Sequence, residues 1–229
     1  MIGSQVKVIE FLTRLPLFTG VSSGVMERIA NGTSELHAPR DTAVYRRGQT
    51  ASGIHVVVVG QVRHSLRSSN GDERIMEVIG EGQAFGGPAM FLQRPHLLDA
   101  ETVLESRLLH IDKNTLLAEV SSDPGFSQKM ITSLSEQLYR HVENLEICML
   151  SSGMRRVVRY LLTHQHDDQF DGAVQITLPT KKWIIASSLN LTQEHFSRIL
   201  GALVRDDLIE VDGRTIHILD CEKLRCFGD

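Results

Sequence analysis

After Asp123-Pro124 the apolar residues fall at Met130, Ile131, Leu134, Leu138, Val142, Leu145 and Met149, with polar and charged residues between them. Steps of three and four held from 130 to 149 describe one long helix with an apolar seam. Asp123 suits the cap and Pro124 the first helical position. Such a seam must be covered, either by a core of the same chain or by a second copy of the helix. Few other helices are available to cover it, so a homodimer through this helix is the expected arrangement.

Ahead of the helix the apolar period is two. Short β-rich runs at Thr42–Arg46, Gly53–Val59, Gln61–Leu66, Arg74–Ile79 and Thr102–Ile111 alternate with glycine-containing turns, among them the hairpin signal Asn70-Gly71. Strands so spaced predict an antiparallel sandwich or jelly roll. The first 30 residues read as two short helices, the second capped by Ser22 or Ser23. Behind the long helix, Arg155–Thr163 is amphipathic, 164–172 is a polar loop, and Val174–Leu178 is a short strand. Two helices and a hairpin follow, the hairpin formed by Leu208–Val211 and Thr215–Leu219 and turning at Asp212-Gly213. The fold class is α+β, with a β-roll domain over 1–122, a dimerisation helix over 123–150 and a winged helix-turn-helix over 151–229.

Composition excludes several classes. With 41% hydrophobic and 23% charged residues the chain can bury a core. A net charge of −4 means that any nucleic-acid surface must be a local one. No apolar run approaches the ~18 residues of a membrane span. Lys7, Glu10 and Arg14 interrupt the N-terminal apolars, which removes a signal-peptide core, so the expected location is the cytoplasm. The three cysteines, Cys148, Cys221 and Cys226, are too few for a disulfide scaffold or a four-thiolate iron–sulfur cluster. There is no nucleophile elbow, P-loop or His-Glu-x-x-His, so an enzyme is not expected.

The two helices after Pro179 carry the best chemical signal. Thr180 is placed to cap the first, Lys181–Leu189, and Thr192 the second, Gln193–Arg205. In the second, Phe196, Ile199, Leu200 and Leu203 form a core face. Glu194, Ser197 and Arg198 form another, in the turns of a recognition helix that reach base edges. Arginine suits guanine, and glutamate accepts from cytosine N4. Lys181 and Lys182 would lie against phosphate.

The order of elements resembles the CRP/FNR family of bacterial transcription regulators over nearly the whole chain. The β-roll signature stands as Tyr45-Arg46-Arg47-Gly48-Gln49, Val59-Gly60-Gln61-Val62 and Gly82-Gln83-Ala84-Phe85-Gly86, and Glu194-His195-Phe196-Ser197-Arg198 matches the E-x-x-S-R pattern of the FNR branch. The resemblance implies a homodimer at palindromic promoter sites with TTGAT-like half-sites, RNA polymerase as partner, and base reading by Glu194, Ser197 and Arg198. It also implies a phosphate contact by Arg156. Arg156 through Thr163 and the tail from Ile218 to Phe227 are similar to the Dnr-type regulators of denitrification and nitrosative stress.

Family members that bind cyclic nucleotides use a Gly-Glu turn and an Arg-Ser pair. Here Gly86-Gly87-Pro88 and Leu97-Leu98 stand instead, so no cyclic nucleotide is expected. The N-terminal cysteine cluster of the iron–sulfur branch is absent too. Strand alternation points His64 into the roll, and His141 lies beside the seam position Val142. With Leu66, Met76, Leu97, Leu98 and Leu138 as lining, either imidazole or both could ligate haem iron, and the Dnr likeness makes nitric oxide sensing the expected input. No histidine precedes His37 to serve as an N-terminal ligand. A regulator set by its abundance, and a receptor with an altered pocket, are the alternatives. His164 and His166 read as part of a solvated loop, and His37, His55, His96, His110 and His217 have no partner spacing. Ser151-Ser152-Gly153 is suited to a hinge.

Overall fold

The computed structural model describes residues 2–68, 73–163, 169–170, 173–178 and 180–227. They divide into two compact units, Met1–Arg140 and His141–Asp229.

The first unit begins with helices α1 (Ile2–Leu12) and α2 (Ser23–Asn31), joined through a 3-10 turn at Pro16–Phe18. Ser22 caps α2 by accepting from the Val25 amide. Eight strands follow: β1 (Thr33–Ala38), β2 (Ala43–Tyr45), β3 (Gly53–Val59), β4 (Val62–Arg67), β5 (Glu73–Ile79), β6 (Ala84–Phe85), β7 (Asp99–Thr102) and β8 (Ser106–Asp112). The short helix α3 (Gly87–Phe91) separates β6 from β7, and α4 (Lys113–Ser122) follows β8. Antiparallel pairing gives two sheets, β1-β8-β3-β6 and β2-β7-β4-β5, which is the expected roll. Asn70-Gly71, the expected hairpin turn, lies outside the described residues.

The run expected as one strand over Thr102–Ile111 is two. β7 ends at Thr102 and β8 starts at Ser106 in the other sheet, so the chain crosses between layers at 103–105. The sequence also concealed β1, because four of its six residues are exposed and no alternation survives at that edge. β3 is the opposite case. Its first five residues are buried, because one face meets the second sheet and the other meets the helices. Two clusters result. Leu12, Phe18, Ile29, Ile54, Ile111, Leu116 and Phe126 join the helices to the first sheet, while Val57, Val62, Ile79, Phe85, Ala100 and Leu108 lie between the sheets. Arg28 of α2 grips Glu119 of α4 with two bonds of 2.6 and 2.8 Å.

The long helix is present as α5 (Pro124–Leu150), and the boundary between the units falls within it. Met130 is not part of an exposed seam; it is 5% exposed and packs with Phe126 in the core. Leu134 is half-buried, and the rest of the stripe is open, with Ile131, Val142 and Leu145 exposed, Leu138 64% exposed and Met149 80%.

The second unit holds α6 (Gly153–Thr163), β9 (Gln169–Phe170), β10 (Ala173–Thr177), α7 (Lys182–Ser188), α8 (Gln193–Arg205), β11 (Ile209–Asp212), β12 (Thr215–Ile218) and α9 (Cys221–Phe227). The strands form one sheet in the order β11-β12-β10-β9. β9 falls inside the segment expected to be a loop, and pairs with β10 through Ala173–Phe170 and Val174–Gln169. His164 and His166 lie outside the described residues. Val157, Leu161, Ile176, Phe196, Leu203 and Ile216 centre a core made wholly from this unit. Among the described residues no helix is long and apolar enough to cross a membrane.

Candidate nucleic-acid interface

Two adjoining helices and a hairpin build the surface. Asn190 turns the chain between α7 and α8 with φ of 55°, a left-handed conformation that asparagine tolerates. Thr192 then caps α8, its hydroxyl accepting from the His195 amide at 3.1 Å. Phe196, Ile199, Leu200 and Leu203 are buried as expected. Glu194, Ser197 and Arg198 are all exposed on the first turns, and the helix N-terminus favours the Glu194 carboxylate. Behind them the hairpin β11–β12 turns at Gly213, whose φ is 56°. Arg214 fastens that turn by donating Nη2 to the Leu178 carbonyl at 2.7 Å.

The cap of α7 differs from expectation. The capping position is Lys181, not Thr180, and the Lys181 side chain makes no capping bond. Thr180 is buried instead, its hydroxyl without a hydrogen-bond partner among the described residues. Lys181 is exposed and Lys182 half-buried at the start of the helix. Arg156 is half-buried and donates Nη1 to the Ser151 carbonyl at 3.1 Å, so its guanidinium holds the linker. The expected phosphate contact would have to share that group.

The interior of the roll departs further from expectation. His64 does face inward, yet both ring nitrogens are occupied. Nε2 lies 2.8 Å from the Tyr45 hydroxyl and Nδ1 lies 2.7 Å from Glu77 Oε1. An imidazole so held has no lone pair left for iron. His141 falls in the other unit and is exposed on α5. The expected lining is not enclosed: Met76 and Leu138 are exposed, and Leu97 is 76% exposed. In the first unit, the space beside Ile54, Phe85, Met130 and Leu134 amounts to about 10 Å³, enough for one water. A second space of about 320 Å³ beside Leu17, Lys129, Thr132 and Glu136 reaches the range of ligand pockets but has no imidazole in its lining. The residues present do not fit a haem in this conformation.

Histidines that the sequence left without partners fill the roll. His55 and His110 oppose each other across β3 and β8, with ring centroids 4.8 Å apart, and His96 stacks flat on Tyr45 at 3.6 Å. Burial pushes His55 down to about 3, helped by the neighbouring His110 and His96. Burial also lowers His96 and His110, against the pull of Asp112 on the latter. Only the pairing of β3 with β8 reveals this cluster, and the spacing within either strand carries no sign of it. On the opposite face of the second sheet, Arg46, Arg63 and Arg67 interlock with Glu73, Asp99 and Glu101. Arg63 meets Glu101 directly and Glu73 at 3.6 Å, while Arg46 reaches Glu101 at 3.0 Å. These charges explain why β4 is buried on both faces. Among the described residues no group of three histidine, cysteine or acidic side chains is arranged to hold a metal ion.

Comparison with known proteins agrees with this architecture. Residues 35–123 match the cyclic nucleotide-binding domain and residues 155–227 match the Crp-like helix-turn-helix domain. A CRP-like cAMP-activated global transcriptional regulator of Mycobacterium tuberculosis is 24% identical over 94% of this chain and 97% of its own length. The structure of FixK2 from Bradyrhizobium japonicum superimposes with a TM-score of 0.76 at 22% identity, over 86% of this chain and 98% of that one. DNR from Pseudomonas aeruginosa is 27% identical over 95% of this chain and 96% of its own, with a TM-score of 0.52.

Proposed function

Because the chain belongs to the CRP/FNR family of DNA-binding transcription regulators, and not to an enzyme family, we propose that it reads a two-fold promoter site as a homodimer. The observation that carries this is the capped helix α8, with Glu194, Ser197 and Arg198 exposed on one side and its core face buried on the other. Lys181, Lys182 and Thr192 adjoin that face, and Arg156 anchors the linker behind it. The exposed stripe on α5 supplies the dimer seam. In this reading 1–122 is the sensor, 123–150 the dimerisation helix and 151–229 the DNA-binding domain, with RNA polymerase as the partner at the promoter. The test is anisotropy with an inverted repeat of TTGAT-like half-sites against a scrambled duplex of equal length. Preference for the repeat by about 10³ or more is expected of a specific regulator. Equal affinity for both would overturn the half-site assignment.

The effector is not a cyclic nucleotide in this reading. The turn at Gly86-Gly87-Pro88 offers no carboxylate, and Leu97 and Leu98 offer no cation. Calorimetric titration with cyclic AMP and cyclic GMP should give no heat of binding. A haem-dependent response to nitric oxide, which the resemblance of Arg156 through Thr163 and the tail to Dnr-type regulators implies, is a second reading. Neither candidate ligand is placed to hold iron here, since His64 is committed to Tyr45 and Glu77 and His141 is exposed on α5. An absorption spectrum after haem loading, with and without nitric oxide, decides it. A chain that takes up no haem acts instead as a regulator set by its abundance or by another small effector.

A further inference from the structure

The segment between α5 and α6 looks like a hinge in the sequence, yet within the second unit it is tied down. Ser152 caps α6, its hydroxyl accepting from the Arg155 amide at 3.2 Å. The Arg156 guanidinium reaches back to the Ser151 carbonyl. Gly153 presses against the start of the recognition element. A Cβ built on Gly153 would stand 3.0 Å from Leu191 Cδ2 and 3.1 Å from His195 Cε1, closer than side chains normally pack. The linker therefore lies close against α8 at its first turn, and a larger residue at 153 would require Leu191 and His195 to give by a few tenths of an ångström.

His195 is suited to receive that contact without reading DNA. At about 100° per residue from Glu194, Ser197 and Arg198 lie within roughly 60° of it, while Phe196, Ile199, Leu200 and Leu203 centre near 190°. His195 sits at about 100°, on the flank between the reading face and the core. Its backbone amide is also the one that Thr192 caps. One residue thus joins the cap, the linker and the reading helix.

We propose that His195 is a positioning residue for DNA recognition: packed on Gly153, it locks the start of α6 to the first turn of α8 and sets the angle at which Glu194, Ser197 and Arg198 meet a duplex. This rests on α8 being the reading helix. Any displacement arriving at Ser151 then moves the reading face with it, because no slack lies between them.

The test uses the full chain and two duplexes: the one the wild type selects from a random pool, and an unrelated one of equal length. His195→Ala should weaken binding to the selected duplex about fivefold and leave the unrelated one unchanged, whereas His195→Phe, which restores a flat ring, should bind as the wild type does. Gly153→Ala should weaken the selected duplex about tenfold, and His195→Ala in the same chain should recover most of that loss. A His195→Phe variant as weak as His195→Ala overturns the proposal, since the ring would then be reading rather than packing. So does a Gly153→Ala chain that binds normally, or one that His195→Ala does not rescue. Should Gly153→Ala fail to fold, the two substitutions at the exposed His195 decide the matter alone. Arg198→Ala separates the two levels. If it leaves selected-duplex binding intact, the reading of α8 fails. If it weakens binding while the His195 variants do not, only the linker contact fails.

Discussion

Arg198 and Lys181 are both exposed cations of the second unit, and they should fail differently when removed. Arg198→Ala, and likewise Glu194→Ala, should cost about 1–3 kcal/mol and relax base preference, because in the proposed reading each removes a contact to a base edge. Lys181→Ala should weaken all sequences alike and reduce the salt slope by about one, as expected for a lost phosphate contact. Titrations at several salt concentrations separate the two. An Arg198→Ala variant with unchanged preference would remove it from the reading face. The histidines make a second prediction. His55, His96 and His110 are held below the usual imidazole range by burial, so the folded roll keeps them neutral. Above about pH 6.5 the unfolded chain is neutral there as well, and stability is full. As pH falls from there toward about 3, the unfolded chain takes up protons that the fold refuses, and stability drops. Urea midpoints should fall between about pH 7.5 and 5, and less steeply in His55→Phe. A midpoint that does not move over that range would contradict the neutral cluster. At this scale the exposed and buried faces of α8 were legible because a 3.6-residue period sorts one helix into faces. His55 and His110 were not, since only strand pairing joins them.

Among the elements, α5 was the plainest in the sequence, and its stripe should behave as an interface. Leu138→Glu places a charge in the middle of the exposed seam and should yield monomers in sedimentation. A dimer that survives it has its interface elsewhere. Met130 was assigned to the seam wrongly because the period cannot tell which of two apolar neighbours faces the roll. The position of β8 shows another limit. An unbroken β-rich run from 102 to 111 hides the crossing between sheets, which the Val103 amide makes by bonding to the Gln61 carbonyl at 2.8 Å. The capping of α8 by Thr192 was readable, since it needs only the local chain. The capping of α7 was misjudged by one residue, because burial removed Thr180 from the role.

For the whole molecule, the two units have separate cores. Among the described residues, the cluster of the second draws on none of the first. A fragment spanning 141–229 should therefore fold alone, with a cooperative thermal transition followed by the fluorescence of Trp183. A fragment with no such transition would mean that this core depends on the rest of the chain. The order of roll, long helix and winged helix-turn-helix was legible from changes of apolar period. The roll interior was not, because a strand carrying Arg63, His64 and Ser65 reads as one-sided until its partners are known.

The lattice of three arginines and three acids on the second sheet also bears on descent. Removing Arg63 or Glu101 strands the other in a buried setting, at about 3–5 kcal/mol, whereas an apolar exchange of both partners is tolerated. Drift at Arg63 and Glu101 must then proceed through paired changes, so the six positions are inherited as a set. Lineages should differ there by coordinated replacement, each generation keeping the sum of charge on that face near zero.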